Sequence, residues 1–419
     1  MTHELVPRAV SSLARSMVAD FRVTVMQGPR QVGKTTLMNA LHRELGGSQY
    51  TLDREDTLGA ALADPSGFSM AGAEPRFIDE IQRAGDPLVR AIKARVDDDP
   101  RPGRYVLAGS TRFLTTPGLI ESLAGRAVGV EVWPLSMSEI SGGGASMLDA
   151  AFTNPDSLRA AVPEAAARGD YLEMLCAGGF PEPRRLSGRS RSAWYKNYVD
   201  AVIQRDLREM GRLREPSAAS QVLRSLAALT AQELVITNIA DRTGLKRDTV
   251  SRYVGLLEAV FLVHQLPSWS NNLTTRIVKH RKVHLVDSGL TAHLLGTTAD
   301  KLARPGAPEL GALLETFVFT EIAKQASWSE TEVTLSHFRD RAGLEVDLIV
   351  EDAAGRYVGI EVKASSTPRF DDGKHLAYLR DKTGDRFLHG IVLHLGDQVL
   401  PFGERITALP VSALWSPST

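Results

Sequence analysis

Eight consecutive residues near the start of the chain have the types and the spacing that bind nucleotide phosphates. The segment GPRQVGKT, residues 28–35, lies between an apolar run and a helical pattern, which is the context that a P-loop needs. Its glycines let backbone N–H groups approach phosphate oxygens, and the positive end of the following helix attracts them. The sequence therefore predicts an ATP site that uses Mg²⁺.

Side-chain chemistry assigns roles within this site. Lys34 is expected to reach the β- and γ-phosphates, and the hydroxyl of Thr35 is expected to bind Mg²⁺. A polar sensor of the γ-phosphate is predicted at Ser110 or Thr111, with an ordinary loop hydroxyl as the alternative. The predicted nucleotide-binding residues are Gly28, Pro29, Arg30, Gln31, Val32, Gly33, Lys34, Thr35, Thr36 and Ser110.

Two acids end a second apolar run, FIDE, at residues 77–80. Asp79 at the predicted strand end is suited to hold Mg²⁺ through water, and Glu80 is suited to polarise the water that attacks the γ-phosphate. The alternative is that both are solvated acids at the end of a strand. The upstream P-loop favours the catalytic interpretation.

The elements that position these groups alternate short apolar runs with helical patterns, which predicts a parallel sheet covered by helices. Strands are predicted at 22–27, 76–79, 105–108 and 128–132. At 419 residues the chain is long enough for several domains. The predicted domains are an ATPase domain at 1–140, a helical lid or connector at 141–194, a winged helix-turn-helix domain at 195–300 and a second α/β unit at 301–419.

The middle of the chain contains a helix-turn-helix pattern. In ITNIADRTGLKRDTVSRYVGLLE, residues 236–258, a glycine separates two helices, and the second helix has an apolar face. The residues expected to face outward toward DNA are Lys246, Arg247, Thr249, Arg252 and Tyr253. A wing against the DNA backbone is predicted from the basic residues Arg276, Lys279, Arg281 and Lys282. The open alternative is a winged helix that docks subunits or protein partners.

Composition limits these functions. The formal net charge of -1 does not require a polyanionic partner, so DNA binding would depend on local basic clusters. Cys176 is the one cysteine, which excludes an intramolecular disulfide framework and a cysteine-based zinc cluster. The first residues lack the apolar core of a signal peptide, and no stretch reaches membrane-spanning length, so a cytoplasmic protein is expected.

Charged residues lie on two predicted strands near the carboxyl end of the chain. Glu361 and Lys363 are two apart and share one strand face, and Asp347 lies on the strand that is paired through a turn. The pattern resembles the catalytic strand pair of the PD-(D/E)XK nuclease superfamily, with Glu315 as a fourth candidate. That resemblance implies two carboxylates that hold Mg²⁺ and a lysine that orients a hydroxide. The alternative is a charged strand face without chemistry.

Several phrases together resemble the AAA-type ATPases of bacteria and archaea that carry a C-terminal domain of uncharacterised function. They are GPRQVGKTT, FIDEIQRA, LAGST, SLAGRA, WPLSMSE, GGFPEP, VIQRDL, VDSGL and GIEVKAS, and they extend over most of the chain. The resemblance implies a RecA/AAA-like α/β domain, followed here by a winged-helix domain and a C-terminal α/β nuclease-like domain. Arg126 in SLAGRA stands where the family keeps an arginine, and it either senses phosphate charge or forms a structural ion pair. Arg205 in VIQRDL is a weaker candidate to reach a neighbouring subunit's nucleotide in a homo-oligomer, with a plain surface charge as the alternative.

The sequence as a whole favours an ATP-driven molecular switch that engages DNA. The second hypothesis is a signalling or scaffold ATPase that docks protein partners, and the third is an active ATP-dependent nuclease that needs Mg²⁺. Salt-dependent DNA binding separates the first two, because contacts with phosphates release counterions. Metal-dependent DNA cleavage identifies the third.

Overall fold

A computed structural model describes residues 5–111, 123–143, 146–207, 215–270 and 281–416. These residues separate into two units. Unit 1 comprises residues 5–111, 123–134, 204–207 and 259–262. Unit 2 comprises residues 135–143, 146–203, 215–258, 263–270 and 281–416. Unit 1 therefore contains the predicted P-loop together with two short segments from much later in the chain.

Unit 1 is a parallel sheet with helices between its strands. The strands are β1 Val23–Gln27, β2 Ser48–Thr51, β3 Arg76–Asp79, β4 Tyr105–Gly109 and β5 Ala127–Glu131. The helices are α1 Ser11–Asp20, α2 Lys34–Leu45, α3 Glu55–Ala63, α4 Pro65–Met70 and α5 Gly85–Asp98. The strand order is β2-β3-β4-β1-β5, and every pairing is parallel. This arrangement confirms the predicted α/β sheet.

The burial of each strand explains whether the strand could be predicted from the sequence. Every residue of β3 and β4 is buried, as expected for central strands of a parallel sheet covered on both faces. The core packs Ile78 and Leu107 from these strands with Ile92 from α5. In contrast, β2 lies at the sheet edge, is mostly half-buried and has the polar sequence SQYT, so it gave no apolar signal. The order also brings the carboxyl ends of β1 and β3 to one edge, on either side of β4.

Unit 2 begins with helices. They are α6 Met137–Ile140, α7 Met147–Thr153, α8 Arg168–Ala177, α9 Gly188–Ala201, α10 Pro216–Ala228, α11 Ile236–Thr243, α12 Arg247–Ala259, α13 Ser288–Leu295, α14 Ala299–Leu302, α15 Leu310–Ala326 and α16 Lys374–Thr383. A π-helix, Val202–Asp206, follows α9, and its residues from 204 onward belong to unit 1. Short 3-10 helices lie at Ile81–Ala84 in unit 1 and at Pro155–Ala160, Pro183–Arg185, Phe370–Gly373, Gly384–Arg386 and Val411–Leu414 in unit 2.

A small antiparallel sheet lies among the middle helices of unit 2. Its strands are β6 Gln232–Glu233, β7 Val263–Leu266 and β8 Lys282–Leu285. They are arranged in the order β6-β8-β7. All four residues of β8 are buried, including the charged Lys282.

A mixed sheet of six strands forms the rest of unit 2. The strands are β9 Val333–Arg339, β10 Glu345–Asp352, β11 Tyr357–Lys363, β12 Phe387–His394, β13 Leu400–Pro401 and β14 Ile406–Pro410. Their order is β13-β14-β12-β11-β10-β9, in which β9, β10 and β11 pair antiparallel while β11, β12 and β14 pair parallel. Leu376 of α16 packs into its core with Ile349, Tyr357 and Phe387. Strands β10 and β11 are the two strands that were predicted to carry Asp347, Glu361 and Lys363.

Membrane insertion through a helix is not supported by the described residues. None of their helices is both long enough and apolar enough to cross a bilayer.

Candidate functional site

The P-loop connects β1 to α2 through backbone conformations that only glycine adopts easily. Gly28 has a φ of 154°, and a Cβ added there would lie 2.2 Å from the carbonyl oxygen of Val132. Gly33, the residue before α2, has a φ of 98°. Any larger residue at Gly28 would collide with backbone, which cannot move aside as a side chain can. The two glycines therefore fix the turn that presents the loop amides.

Lys34 is held inside the loop. Its ammonium donates hydrogen bonds to the carbonyl oxygens of Gly28, at 2.9 Å, and Pro29, at 2.7 Å. The residue is only 6% exposed, and burial lowers the pKa of Lys34 to about 8, although the nearby acids Glu80 and Asp79 oppose the shift. The predicted phosphate-binding cation is thus placed within the loop.

The two predicted Mg²⁺ ligands lie in direct contact. Oγ1 of Thr35, in the first turn of α2, donates a 2.7 Å hydrogen bond to Oδ2 of Asp79 at the end of β3. Asp79 is 4% exposed, and its Oδ1 accepts a 3.0 Å hydrogen bond from the backbone N–H of Glu80. A hydroxyl and a carboxylate therefore converge where a hard cation would find oxygen ligands.

Glu80 follows in a left-handed conformation, with a φ of 55°. Its carboxylate accepts a hydrogen bond from Nε2 of Gln82, and the same Nε2 lies 3.3 Å from Oγ of the predicted sensor Ser110. Burial raises the pKa of Glu80, while the positive charge of Lys34 opposes this rise. A non-glycine residue in this conformation stores strain, which is common among residues that act in a site.

A segment from far along the chain completes the polar surroundings of the loop. Arg30 in the P-loop forms a 2.6 Å ion pair with Asp206, which is 2% exposed. The neighbouring Arg205 pairs with Asp53 at 3.4 Å and is about half exposed. Sequence reasoning singled out Arg205 in this segment and missed Asp206. The signal for Asp206 was limited to its place in the phrase VIQRDL.

Arg126 does not approach the P-loop of its own chain. It directly precedes β5, and its carbonyl oxygen accepts a hydrogen bond from the N–H of Val23, the first residue of β1. It therefore lies at the amino edge of the parallel strands, opposite the edge that holds the P-loop. Its guanidinium pairs with the carboxylate of Asp97. Within one chain, Arg126 therefore forms a structural ion pair, which was the alternative to the expected phosphate contact.

Comparisons with protein families agree with this geometry. Residues 20–141 match an AAA domain. The P-loop region is therefore AAA-like. Its five parallel strands and interleaved helices have a RecA/AAA-like P-loop fold. Residues 168–301 match a domain of unknown function, DUF8612, and residues 310–414 match another, DUF4143.

Similar proteins extend along most of the chain. An uncharacterized protein of Mycobacterium tuberculosis is 29% identical over 399 residues, which cover 94% of this chain and 80% of that protein. One from Mycobacterium bovis has the same values. An uncharacterized protein of Haemophilus influenzae is 24% identical over 256 residues, covering 59% of this chain and 57% of that protein.

Solved structures with some likeness include a RuvB Holliday junction branch migration motor from Thermotoga maritima. It is 16% identical, with a TM-score of 0.28, and the match covers 61% of this chain and 87% of that one. A DNA replication initiation factor is 11% identical, with a TM-score of 0.24, and covers 74% of this chain and 80% of its own. Likenesses this weak support no argument about what the AAA-like region acts on.

The helix-turn-helix residues of unit 2 are only partly placed as expected. Lys246 and Arg247, at the start of α12, are exposed, and Thr249 is half-buried. Tyr253, which was expected to face outward, is 1% exposed, because α12 buries that side chain together with its apolar face. Arg252 is half-buried, with its guanidinium 5.1 Å from the centre of the Tyr253 ring. The exposed basic surface of the predicted helix-turn-helix is therefore smaller than expected.

The predicted wing also differs from expectation. Arg276 and Lys279 lie outside the described residues, and Arg281 is exposed. Lys282 is 2% exposed and does not face solvent. Its ammonium lies 2.7 Å from a carboxylate oxygen of Glu315 and 2.7 Å from one of Glu345. The interpretation of Lys282 as a DNA-contacting wing residue is wrong, because β8 is covered on the face that carries it.

The nuclease-like residues converge in unit 2. Nζ of Lys363 donates a 2.9 Å hydrogen bond to Oε2 of Glu361, so these two side chains share a strand face. Oδ2 of Asp347 accepts a 2.9 Å hydrogen bond from the N–H of Val362 on the paired strand. The fourth candidate, Glu315, is linked to this group by Lys282, which lies 3.6 Å from Asp347. All four predicted side chains therefore belong to one polar cluster.

Three members of this cluster were not predicted. They are Lys282, Glu345 and His375, whose Nδ1 lies 3.7 Å from Oε1 of Glu361. Burial raises the pKa of Glu361 to about 8, and the charge of Asp347 adds to this effect. Across the residues that the structure describes, no three or more acidic, histidine or cysteine side chains are arranged to hold a metal ion. The cations that pair with these carboxyl groups are chiefly Lys282 and Lys363.

Proposed function

We propose that this chain binds ATP with Mg²⁺ at the P-loop and hydrolyses it as an AAA-type ATPase. One contact carries the proposal, the 2.7 Å hydrogen bond from Oγ1 of Thr35 to Oδ2 of Asp79. It brings a loop hydroxyl and a strand-end carboxylate to one point, and Mg²⁺ prefers oxygen ligands of this kind. The match of residues 20–141 to an AAA domain supports the same reaction.

Several groups of this chain have the chemistry to act on ATP. Thr35 and Asp79 would hold Mg²⁺, which when bound would supply positive charge to stabilise the phosphates. The ammonium of Lys34 would exchange its two carbonyl partners for phosphate oxygens. Glu80 would accept the proton of the attacking water, and its raised pKa makes it a stronger base than an exposed glutamate.

Phosphate release from ATP by the purified chain, measured with and without Mg²⁺, tests the proposal. Lys34→Ala is expected to weaken ATP binding by at least about tenfold, because it removes a cation that the loop offers to the phosphates. Lys93→Ala is the matched control, since Lys93 lies on α5 of the same unit and outside the P-loop. Turnover that is independent of Mg²⁺, or that survives Lys34→Ala, would reject the site.

We also propose that unit 2 engages DNA through a winged helix. Its elements follow in the order α10, β6, α11, α12, β7 and β8, which is a three-helix group with a small sheet. Lys246 and Arg247 are exposed at the start of α12, where a recognition helix would meet phosphates and base edges. Arg281, before β8, adds exposed positive charge. These charges favour DNA over a protein partner.

Duplex DNA binding by the wild-type chain tests this second proposal. Binding is expected at low salt, and the affinity is expected to fall steeply as salt is added, because phosphate contacts release counterions. An electrophoretic mobility-shift series at several salt concentrations measures this. If no complex forms at low salt, the winged helix is better explained as a docking surface for a protein partner.

A nuclease reaction receives less support from the geometry. The ammonium of Lys282 lies 2.7 Å from Glu315 and 3.6 Å from Asp347, two carboxyl groups that a divalent cation would need as ligands. Cleavage of linear DNA that needs Mg²⁺ or Mn²⁺, and that Glu361→Ala abolishes while ATP turnover continues, would establish the reaction in spite of this arrangement.

A further inference from the structure

The ion pair between Arg30 and Asp206 joins the P-loop to residues that lie far along the chain. The two charged groups are 2.6 Å apart, and their side chains are 20% and 2% exposed. Residues 204–207 belong to unit 1, whereas the residues before them belong to unit 2. A buried aspartate is stable as an anion only beside a cation, so this pairing fixes both the guanidinium and the segment that carries the acid.

Arg30 also lies close to the groups that act on the terminal phosphate. Burial is the main cause of the lowered pKa of Lys34. The charge of Arg30 lowers this pKa further, whereas the charge of Asp206 raises it. Burial likewise dominates the pKa of Glu80, and Arg30 is among the cations that oppose its rise. The guanidinium is thus within electrostatic range of both side chains.

We propose that Asp206 is a positioning residue for ATP hydrolysis, which holds Arg30 beside Lys34 and Glu80 so that the guanidinium stabilises charge on the γ-phosphate. The proposal rests on the ATPase function proposed above. An arginine at this position performs the charge stabilisation that many nucleotide hydrolases obtain from a separate arginine. The carboxylate of Asp206 limits the conformations that the long Arg30 side chain can adopt, and this pre-organisation favours the transition state.

The surroundings of Asp206 distinguish it from its neighbour. Arg205 is about half exposed and pairs with Asp53, so it has a surface role within this chain. Asp206 ends a π-helix, Val202–Asp206, and such wide turns are frequent at functional sites because they change the direction of successive side chains. The turn places consecutive residues of the phrase VIQRDL against different partners.

Kinetics of four variants of the full chain test this proposal. Asp206→Asn keeps the shape and removes the charge, and it is expected to lower kcat by about tenfold while the Kd for a fluorescent ATP analogue changes by less than about threefold. Arg30→Ala is expected to lower kcat at least as much. The double variant is expected to lose no more than Arg30→Ala alone, because Asp206 acts through Arg30. Asp206→Glu is expected to restore part of the rate.

Asp53→Asn is the matched control, since Asp53 also pairs with an arginine of this segment but is about half exposed. An unchanged kcat in Asp206→Asn overturns the proposal. A faster rate also overturns it, and shows that Asp206 holds Arg30 away from the phosphates. Additive losses in the double variant give Asp206 a structural role. A wild-type chain without ATP turnover rejects the proposed ATPase itself, so the two failures are distinct.

A second and independent observation concerns the buried cluster of Lys282, Glu315, Glu345 and Asp347, here called the Lys282 cluster. The ammonium lies 2.7 Å from Glu315, 2.7 Å from Glu345 and 3.6 Å from Asp347. Lys282 is 2% exposed, so water contributes little to its solvation. Three carboxylates around one ammonium satisfy it as oxygen ligands satisfy a small cation.

A carboxyl group with one unsatisfied oxygen lies next to the Lys282 cluster. Glu361 is 3% exposed, and its Oε1 has no hydrogen-bond partner among the described residues, although Nδ1 of His375 lies 3.7 Å away. Its other oxygen accepts from Lys363. The site thus contains an unsatisfied buried oxygen beside carboxyl groups that already pair with Lys282.

We infer that Lys282 is a built-in counter-ion that excludes divalent cations from the carboxylates of Glu315, Asp347 and Glu361. A metal ion at this place would face the ammonium at close range, and the repulsion between like charges disfavours both. The inference explains why the residues resemble a nuclease site but do not fit its metal. Removing the ammonium is expected to leave an anionic pocket that binds a divalent cation.

Mn²⁺ binding to the nucleotide-free full chain, measured by electron paramagnetic resonance, tests this inference. Glu361→Gln is expected to leave the Mn²⁺ affinity of the wild-type chain unchanged. Lys282→Gln is expected to gain at least about tenfold in affinity, and Lys282→Gln with Glu361→Gln is expected to lose that gain. Lys301→Gln, at an exposed lysine of the same unit, is the control for loss of one positive charge.

The wild-type comparison keeps the test decisive even if Lys282→Gln does not fold. If Glu361→Gln weakens Mn²⁺ binding to the otherwise wild-type chain, the cluster already accepts a metal and the inference is wrong. If Lys282→Gln is folded by circular dichroism and gains no affinity, the inference is also wrong.

Discussion

The hydroxyl oxygen of Thr35 lies 2.7 Å from Oδ2 of Asp79, although 44 residues separate them in the chain. Thr35 is in the first turn of α2, which follows β1, and Asp79 ends β3. Because β1 and β3 are parallel neighbours of β4, their carboxyl ends lie at one edge of the sheet. The order of the strands thereby assembles the two groups of the proposed ATPase site.

Glu80→Gln is expected to separate ATP binding from hydrolysis. The variant keeps Lys34, Thr35 and Asp79, so ATP affinity is expected to change little. The amide cannot accept a proton from water, so kcat is expected to fall by at least about 100-fold. Equilibrium binding of a fluorescent ATP analogue and single-turnover phosphate release measure the two effects.

Glu55→Gln is the control for this variant, because Glu55 is an exposed residue in the first turn of α3. The control is expected to match the wild-type chain in both measurements. Loss of ATP binding together with turnover in Glu80→Gln would show that Glu80 maintains the loop, and it would contradict the role of a general base.

The affinity for ATP is expected to depend on alkaline pH through Lys34. Burial lowers the pKa of Lys34 to about 8 in the nucleotide-free chain, and phosphate oxygens favour the charged form. As pH rises above about 8, the free chain loses this proton and binding must take one up, so the Kd rises by up to about tenfold per pH unit. Titrations between pH 7 and 9.5 measure the slope. Lys34→Arg remains charged and is expected to show a flat profile, and an equally flat wild-type profile would contradict the assignment.

Arg247→Ala is expected to weaken DNA binding and to reduce its dependence on salt. Arg247 is exposed at the start of α12, and loss of one phosphate contact lowers the slope of log affinity against log salt by about 0.9. Mobility shifts at four salt concentrations give this slope. Arg341→Ala, at an exposed arginine of the same unit outside the predicted helix-turn-helix, is expected to keep the wild-type slope.

ATP turnover in the absence of DNA is expected to survive Arg247→Ala. If the two arginine variants lose affinity equally, the contact is a general charge effect and α12 is not the DNA-binding helix. If the slope is unchanged while affinity falls, Arg247 does not contact a phosphate.

His284 is expected to make the fold sensitive to acid. It is 0% exposed, its Nδ1 lies 3.1 Å from Oγ1 of Thr316, and its ring stacks on Phe319 at 4.3 Å between centroids. Burial holds the pKa of His284 well below 6.5, and the charges of Lys282, His264 and His337 lower it further. A depressed pKa means that stability is complete above about pH 6.5 and is lost as pH falls below it, by up to about 1.4 kcal/mol per pH unit.

His284→Gln removes this titration, so its stability relative to the wild-type chain is expected to improve as pH falls from 7.5 to 5. Denaturant unfolding at both pH values measures the difference. His42→Gln, at a partly exposed histidine of unit 1, is the control for the loss of one imidazole. A constant difference between His284→Gln and the wild type at both pH values would show that His284 does not titrate on unfolding.

The sequence by itself determined the parts that depend on local spacing. Residues 28–35 are consecutive, so the turn from β1 to α2 places Lys34 and Thr35 whatever surrounds them. Glu361 and Lys363 are two apart on one strand and therefore share one face, where their side chains meet at 2.9 Å. Strand β2 was not predicted, because its four residues do not alternate between apolar and polar side chains.

Only the tertiary structure decided what each charged residue meets. Lys282 belongs to a basic run in the sequence, yet α15 and β10 bring Glu315 and Glu345 to its ammonium. Asp206 follows Arg205 directly, yet the buried acid pairs with Arg30 in the P-loop. Spacing along a helix or strand fixes which side chains share a face, because that geometry repeats every few residues. The charges that cover the face come from segments tens to hundreds of residues away, and only the packing of those segments brings them together.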